Sequence, residues 1–176
     1  SFALNQRLPR DIRIQKSDEV DARWHPRYQD SIKTYEYRIQ NARLQNPIRR
    51  LYTYFVYYHL DVEKMQKAGK IFIGEHDFKS FCSTRTQAET TVRKIYDFSV
   101  KKEADEIVIR IKGNGFLYNM VRIIVGTLLR VGTGFFTPEK VEEILEAKDR
   151  MKAGPKVPPE GLTLIGIEYP NDAADE

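Results

Sequence analysis

Arg122 is the residue of this 176-residue chain whose chemistry most needs an explanation, because its neighbours are apolar. The run reads Gly113-Asn114-Gly115-Phe116-Leu117-Tyr118-Asn119-Met120-Val121-Arg122-Ile123-Ile124-Val125-Gly126 and continues to Gly132. A guanidinium keeps its charge, so placing it in an apolar element calls for a partner. Two chemistries are open. One is a structural ion pair; the other is a rigid cation that fixes a functional carboxylate or a phosphate. Asn119, Arg122, Gly126 and Arg130 fall at spacings that one helical face carries together. Gly126 weakens such a helix, and its use would be to admit another backbone or a ligand at close range.

A second constellation lies upstream. Residues 1–60 hold eleven Lys/Arg against six Asp/Glu, together with Trp24 and seven of the ten tyrosines. Cations interleaved with flat rings suit a nucleic acid, whose phosphates attract charge and whose unpaired bases stack. A tyrosine-rich strand accounts for the same residues. The net charge of +4 includes three acidic residues in the tail 171–176, so the body without that tail carries +7.

Other chemistries find no footing. His25, His59 and His76 are far apart and Cys82 is the single cysteine, so no metal ligand set can be assembled from spacing. Gly113-Asn114-Gly115 lacks the rest of any phosphate-cradling glycine loop, and no Gly-x-Ser-x-Gly elbow occurs. Cys82 reads as a small buried hydrophobe and His25 as a turn or stacking residue. A lone cysteine fits a reducing cytoplasm. Arg122 and Arg130 interrupt the best apolar run, so no membrane span is expected. The start, Ser1-Phe2-Ala3-Leu4, has no signal-peptide pattern and no methionine, which suggests a fragment.

The positioning elements follow from periodicity. Asp11 to Ser17 alternates like a short strand. Ile32 to Ile39 is a clear strand with Tyr35, Tyr37 and Ile39 on one face and Thr34, Glu36 and Arg38 on the other. Tyr52 to His59 reads as another aromatic strand or buried segment. Asp61 caps a helix from Val62 to Ile73 that Gly74 ends. Glu75 to Ser83 is a turn that packs Phe78 and Phe81 on the core. Val92 to Val100 and Glu106 to Lys112 form a hairpin with Ile107, Ile109 and Ile111 buried. After the central helix, Thr137 caps a third one with Pro138 at its first position. A Pro- and Gly-rich loop over 152–161 precedes a closing strand from Leu162 to Tyr169. This order is α+β with a mainly antiparallel sheet, in one domain over 1–170 followed by an acidic tail over 171–176.

Eight runs then occur in one order: Arg10-Asp11-Ile12-Arg13, His25-Pro26-Arg27-Tyr28, Lys33-Thr34-Tyr35-Glu36-Tyr37, Gly74-Glu75-His76-Asp77-Phe78-Lys79-Ser80-Phe81, Val92-Arg93-Lys94-Ile95, Gly113 through Arg122, Ala147-Lys148-Asp149-Arg150, and Glu160-Gly161-Leu162. Together they closely resemble the tRNA pseudouridine synthase A family over essentially the whole chain. The resemblance implies a pseudouridine synthase-like fold and an isomerase that converts uridines of the tRNA anticodon stem-loop to pseudouridine without cofactor or metal. It implies cleavage of the ribose bond to N1 of uracil, rotation of the base and reattachment through C5, with an aspartate as nucleophile or base and the uridine drawn out of its stack. It assigns Tyr35 to packing on the extruded base, Arg122 to pairing with the catalytic aspartate, and Leu162 to lining the uracil pocket. Arg27, Lys33 and Arg93 become candidates for phosphate contacts or structural pairs. The family's working form is a homodimer with tRNA across both subunits.

The sequence departs from the family at one decisive place. The family's aspartate lies in a Gly-Arg-Thr-Asp-Ala-Gly motif, which is missing here; Arg85-Thr86 is followed by Gln87 and lies elsewhere in the order. The chain thus resembles the C-terminal catalytic domain of such an enzyme without its nucleophile, expected to fold alone but not to form pseudouridine. The alternatives are a non-catalytic RNA-binding module on the same scaffold, or an α+β domain whose arginine only makes an ion pair.

Overall fold

The computed structural model describes residues 1–84 and 88–170; the acidic tail and Arg85-Thr86-Gln87 lie outside the described residues. The first strand, β1 (Ile32–Asn41), is the spine of a six-stranded sheet. One edge of β1 pairs along its length with β5 (Glu106–Gly113), antiparallel, with Tyr37 opposite Ile109. Its other edge is shared. β6 (Leu162–Glu168) runs antiparallel to residues 32–37, and β2 (Tyr54–Val56) runs parallel to Ile39, Gln40 and Asn41. Beyond β5 come β4 (Val92–Glu103) and β3 (Gly74–Asp77), both antiparallel. The sheet is therefore mixed, with one parallel pair, and the fold is α+β.

Alternation divides the sheet into two faces. Tyr37, Ile39, Ile107, Ile109 and Ile111 are wholly buried under two helices, α2 (Val62–Lys70) and α3 (Met120–Gly132). The opposite face carries Glu36 held by Arg38 and Arg110, and Glu106 held by Arg38 and Arg49. That ion network lets two buried carboxylates remain charged. Phe72, Phe78, Phe81 and Phe98 interlock beside α2, with ring centroids 5.0–6.2 Å apart. Among the described residues no helix is long and apolar enough to cross a membrane.

Several elements differ from the sequence expectation, each for a tertiary reason. Residues 11–17 form no strand; the Asn5 side chain instead brackets Ile14, accepting from its N–H and donating to its carbonyl, both at 2.8 Å. Asn5 ends a one-turn helix, α1 (Phe2–Asn5), that periodicity did not reveal. α2 stops at Lys70, and the expected turn after it begins with β3. Of Tyr52 to His59 only Tyr54–Val56 is strand. The last helix, α4 (Lys140–Ala147), starts after a Pro138-Glu139 turn, and Thr137 contributes its carbonyl to Lys140 N–H rather than a side-chain cap. Asp61 does cap α2, accepting from Lys64 N–H at 3.0 Å.

Candidate active site

The central helix begins later than its apolar run. Residues 114–118 are a loop, and Asn119 stands at the helix N-cap in the left-handed region, φ 61°. Asparagine tolerates that conformation better than most side-chain-bearing residues. The turn changes what the polar stripe means. Asn119 is not part of the helical face but reaches back over it: its Oδ1 accepts from Arg122 Nη1 at 3.2 Å while its Nδ2 donates to Ser83 Oγ at 2.9 Å.

Arg122 is half-buried, and its second anchor comes from far along the chain. Its Nε donates to the Val157 carbonyl at 2.7 Å. Val157 belongs to a segment that lies on α3 because two glycines leave room. A Cβ on Gly126 would stand 1.7 Å from the Pro155 oxygen, and one on Gly154 would stand 2.6 Å from the Gly126 backbone. The Gly154 N–H donates to Thr127 Oγ1 at 2.9 Å, fastening the crossing. Gly126 thus admits a backbone.

Both acceptors of Arg122 are neutral, and no carboxylate pairs with it among the described residues. The structural ion pair considered from the sequence is not formed among the described residues. Among the described residues the Nη2 group has no hydrogen-bond partner. A guanidinium offers five donors in a rigid fork, and neutral acceptors leave its charge uncompensated. Its direction is fixed while its charge stays free.

Tyr35 on β1, Leu162 at the start of β6 and Arg122 on α3 line one pocket of about 310 Å³, with Phe116, Asn119 and Pro159 completing the wall. The Tyr35 ring meets Phe116 edge-on at 5.0 Å, which fixes its plane. Leu162 is brought in by a turn in which its N–H donates to the Pro159 carbonyl. Next to it Gly161 lies against Tyr37, where a Cβ would sit 2.7 Å from the ring. The buried Tyr37 hydroxyl donates to the Pro158 carbonyl at 2.7 Å, and burial pushes its pKa well up. That bond ties the 155–159 segment to β1.

The three remaining candidates lie outside this wall. Lys33 precedes Tyr35 by two residues and shares its face of β1. Arg93 on β4 lies beside Gly115, bonded to the carbonyls of Thr90 and Val92. Arg27 sits in an exposed turn over 24–28, packed near the end of β6 through Trp24 on Tyr169. None of the three pairs with a carboxylate among the described residues, so the structural-pair option for them finds no partner there. Sequence reasoning gave no role to Phe116, and it could not have found the Val157 carbonyl, because any residue supplies a carbonyl.

A sequence model described as tRNA pseudouridine synthase matches residues 68–170. The chain is also 48% identical over 168 residues to the tRNA pseudouridine synthase A of Brevibacillus brevis, covering 96% of this chain and 69% of that protein. The chain belongs to the tRNA pseudouridine synthase A family. The enzyme of the same name from Bacillus pumilus is 45% identical over 170 residues, and that from Caldicellulosiruptor bescii 47% over 168, with 97% and 96% of this chain covered and 69% of each relative. Two of the runs that carry the family resemblance meet at this pocket: Phe116 to Arg122 builds its wall, and Tyr35 comes from Lys33-Thr34-Tyr35-Glu36-Tyr37.

Proposed function

We propose that this chain supplies the uridine-holding half of a pseudouridine-forming site acting on the tRNA anticodon stem-loop. The supporting observation is the convergence of Tyr35, Leu162 and a guanidinium with free charge on one pocket of about 310 Å³. That volume is at the small end of ligand pockets and suits a single extruded base. In this reading the uracil packs between Tyr35 and Leu162, and Arg122 receives a carboxylate. A cation at hydrogen-bond range keeps such an acid ionised at neutral pH, which a nucleophile or base requires. The reaction balances without a redox partner: the bond from C1′ to N1 breaks, the bond from C1′ to C5 forms, C5 loses its proton and N1 ends protonated. Lys33, Arg93 and Arg27 contact phosphates, Lys33 and Arg93 nearest the base.

No described carboxylate reaches Arg122, and the 176 residues contain no Gly-Arg-Thr-Asp-Ala-Gly run. We therefore propose that this chain alone binds tRNA but does not isomerise it, and that the acid comes from polypeptide not among these residues. A homodimeric working form in the cytoplasm, with tRNA across both subunits, completes the proposal. The test is a pair of assays on the 176-residue chain. Anticodon stem-loop binding should weaken steeply as salt rises. Tritium release from tRNA carrying C5-tritiated uridine should stay at background. Release above background refutes the inactivity. Binding that ignores salt, or is unchanged in Lys33→Gln with Arg93→Gln, refutes the placement of RNA on this site.

A further inference from the structure

Arg130 repeats Arg122 two turns along α3, about 12 Å further at ~1.5 Å per residue. The Pro155–Pro159 segment runs between them. On its far side lies a pocket of about 670 Å³, larger than the one holding Tyr35, walled by Tyr54, Tyr58 and Phe135. Its charged lining residues are Arg130 and Lys156, and no acidic side chain lines it. The Arg130 guanidinium lies 4.8 Å over the Phe135 ring, which is 68% exposed. Both charges stay unmatched by a carboxylate among the described residues, and the Phe135 face stays largely open.

Positive charge without compensation selects an anion, and exposed aromatic faces select a flat partner. A nucleotide combines both. An acidic peptide would use the cations but leave Phe135 and Tyr58 idle. We propose that this pocket is a second RNA subsite, taking a phosphate on Arg130 and Lys156 and a base against Phe135, on the strand that delivers the target uridine to the Tyr35 pocket. The separation of about 12 Å equals roughly three to four rises of stacked strand, so the occupant is a near neighbour of the target nucleotide. The inference rests on the reading that the chain binds tRNA, and it assigns the segment from Pro155 to Pro159 as the divider between two bound nucleotides.

The experiment is equilibrium binding of a tRNA anticodon stem-loop to the 176-residue chain over a salt series. Arg130→Gln with Lys156→Gln should make the slope of log affinity against log salt shallower by about two. Phe135→Ala should weaken binding roughly tenfold at all salt concentrations. Lys101→Gln with Lys102→Gln, on the exposed far end of the β4–β5 hairpin, should leave both unchanged. These residues are exposed or at the pocket surface, and an unaltered melting temperature checks folding. If Lys33→Gln and Arg93→Gln reduce the slope while Arg130→Gln with Lys156→Gln does not, the second subsite is wrong and the first reading stands. If the unaltered chain does not bind the stem-loop, both fail. If Phe135→Ala changes self-association measured by sedimentation and not RNA affinity, the face joins copies of the chain and the subsite is refuted.

Discussion

The crossing of the 155–159 segment over α3 makes Gly126→Ala a severe test of how Arg122 is held. In an ordinary helix this change adds about 1 kcal/mol, because alanine is the better helix former. Here the new methyl would stand 1.7 Å from the Pro155 carbonyl oxygen, so the segment must withdraw about 1.3 Å to reach even 3.0 Å. The backbone of Pro155 cannot swing aside as a side-chain tip would. A similar shift at Val157 stretches the Arg122 Nε bond from 2.7 Å to ~4 Å, outside hydrogen-bond range. The Gly154 N–H to Thr127 Oγ1 bond at 2.9 Å is exposed to the same strain. Overpacking of this kind costs about 1–3 kcal/mol and each weakened bond about 1 kcal/mol, against the propensity gain. The net loss is about 2–4 kcal/mol, or roughly 5–15 °C in melting temperature for a chain of this length. Thermal and urea unfolding measure it. Gly134→Ala is the control: nothing lies within 4 Å of its Cβ position, but its φ of +78° should still cost about 1 kcal/mol from backbone strain alone. If Gly126→Ala equals or exceeds the unaltered chain in stability, the segment does not bear on the helix as described. The rigidity of Arg122 then loses its explanation.

Substitutions at three further positions probe the site and the sheet. Asn119 has φ 61° and bonds to both Arg122 and Ser83, so Asn119→Gly should lose about 1–2 kcal/mol and Asn119→Ala about 1 kcal/mol more, since alanine also resists the left-handed region; equal losses in urea unfolding would show that the backbone turn is unstrained. The Tyr35 hydroxyl has no hydrogen-bond partner among the described residues while its ring meets Phe116, so Tyr35→Phe should stay within about 0.5 kcal/mol of the unaltered chain and Tyr35→Ala should not; a large loss in Tyr35→Phe contradicts this. Burial raises the Glu36 carboxyl, but hydrogen bonds from Arg110 and Arg38 reverse that and hold its pKa below the ordinary 4.5. A depressed folded pKa gives stability that is complete above that value and lost as pH falls through the folded one. Glu36→Gln should therefore cost about 1–3 kcal/mol at neutral pH and flatten the acid limb of the stability profile; an unchanged limb assigns acid sensitivity to other carboxylates.

Periodicity and residue type settled what depends on near neighbours. The alternation of Tyr35, Tyr37 and Ile39 against Glu36 and Arg38 placed the faces of β1, and the isoleucines at 107, 109 and 111 placed the buried face of the hairpin. The apolar run around Arg122 announced a core helix with a cation that had to be satisfied somehow, and its motif announced the family. What anchors that cation was decided only by tertiary structure. The Val157 carbonyl arrives from 35 residues away, on a segment admitted by paired glycines and tied to β1 through the Tyr37 hydroxyl. Residues 11–17 had a strand's pattern but no neighbouring strand to bond, so the pattern came to nothing. Side-chain periodicity is written into the chain, because it reflects contacts a few residues apart. Backbone carbonyls and sheet edges carry no residue-specific mark, so which of them meet is settled when distant segments close on one another.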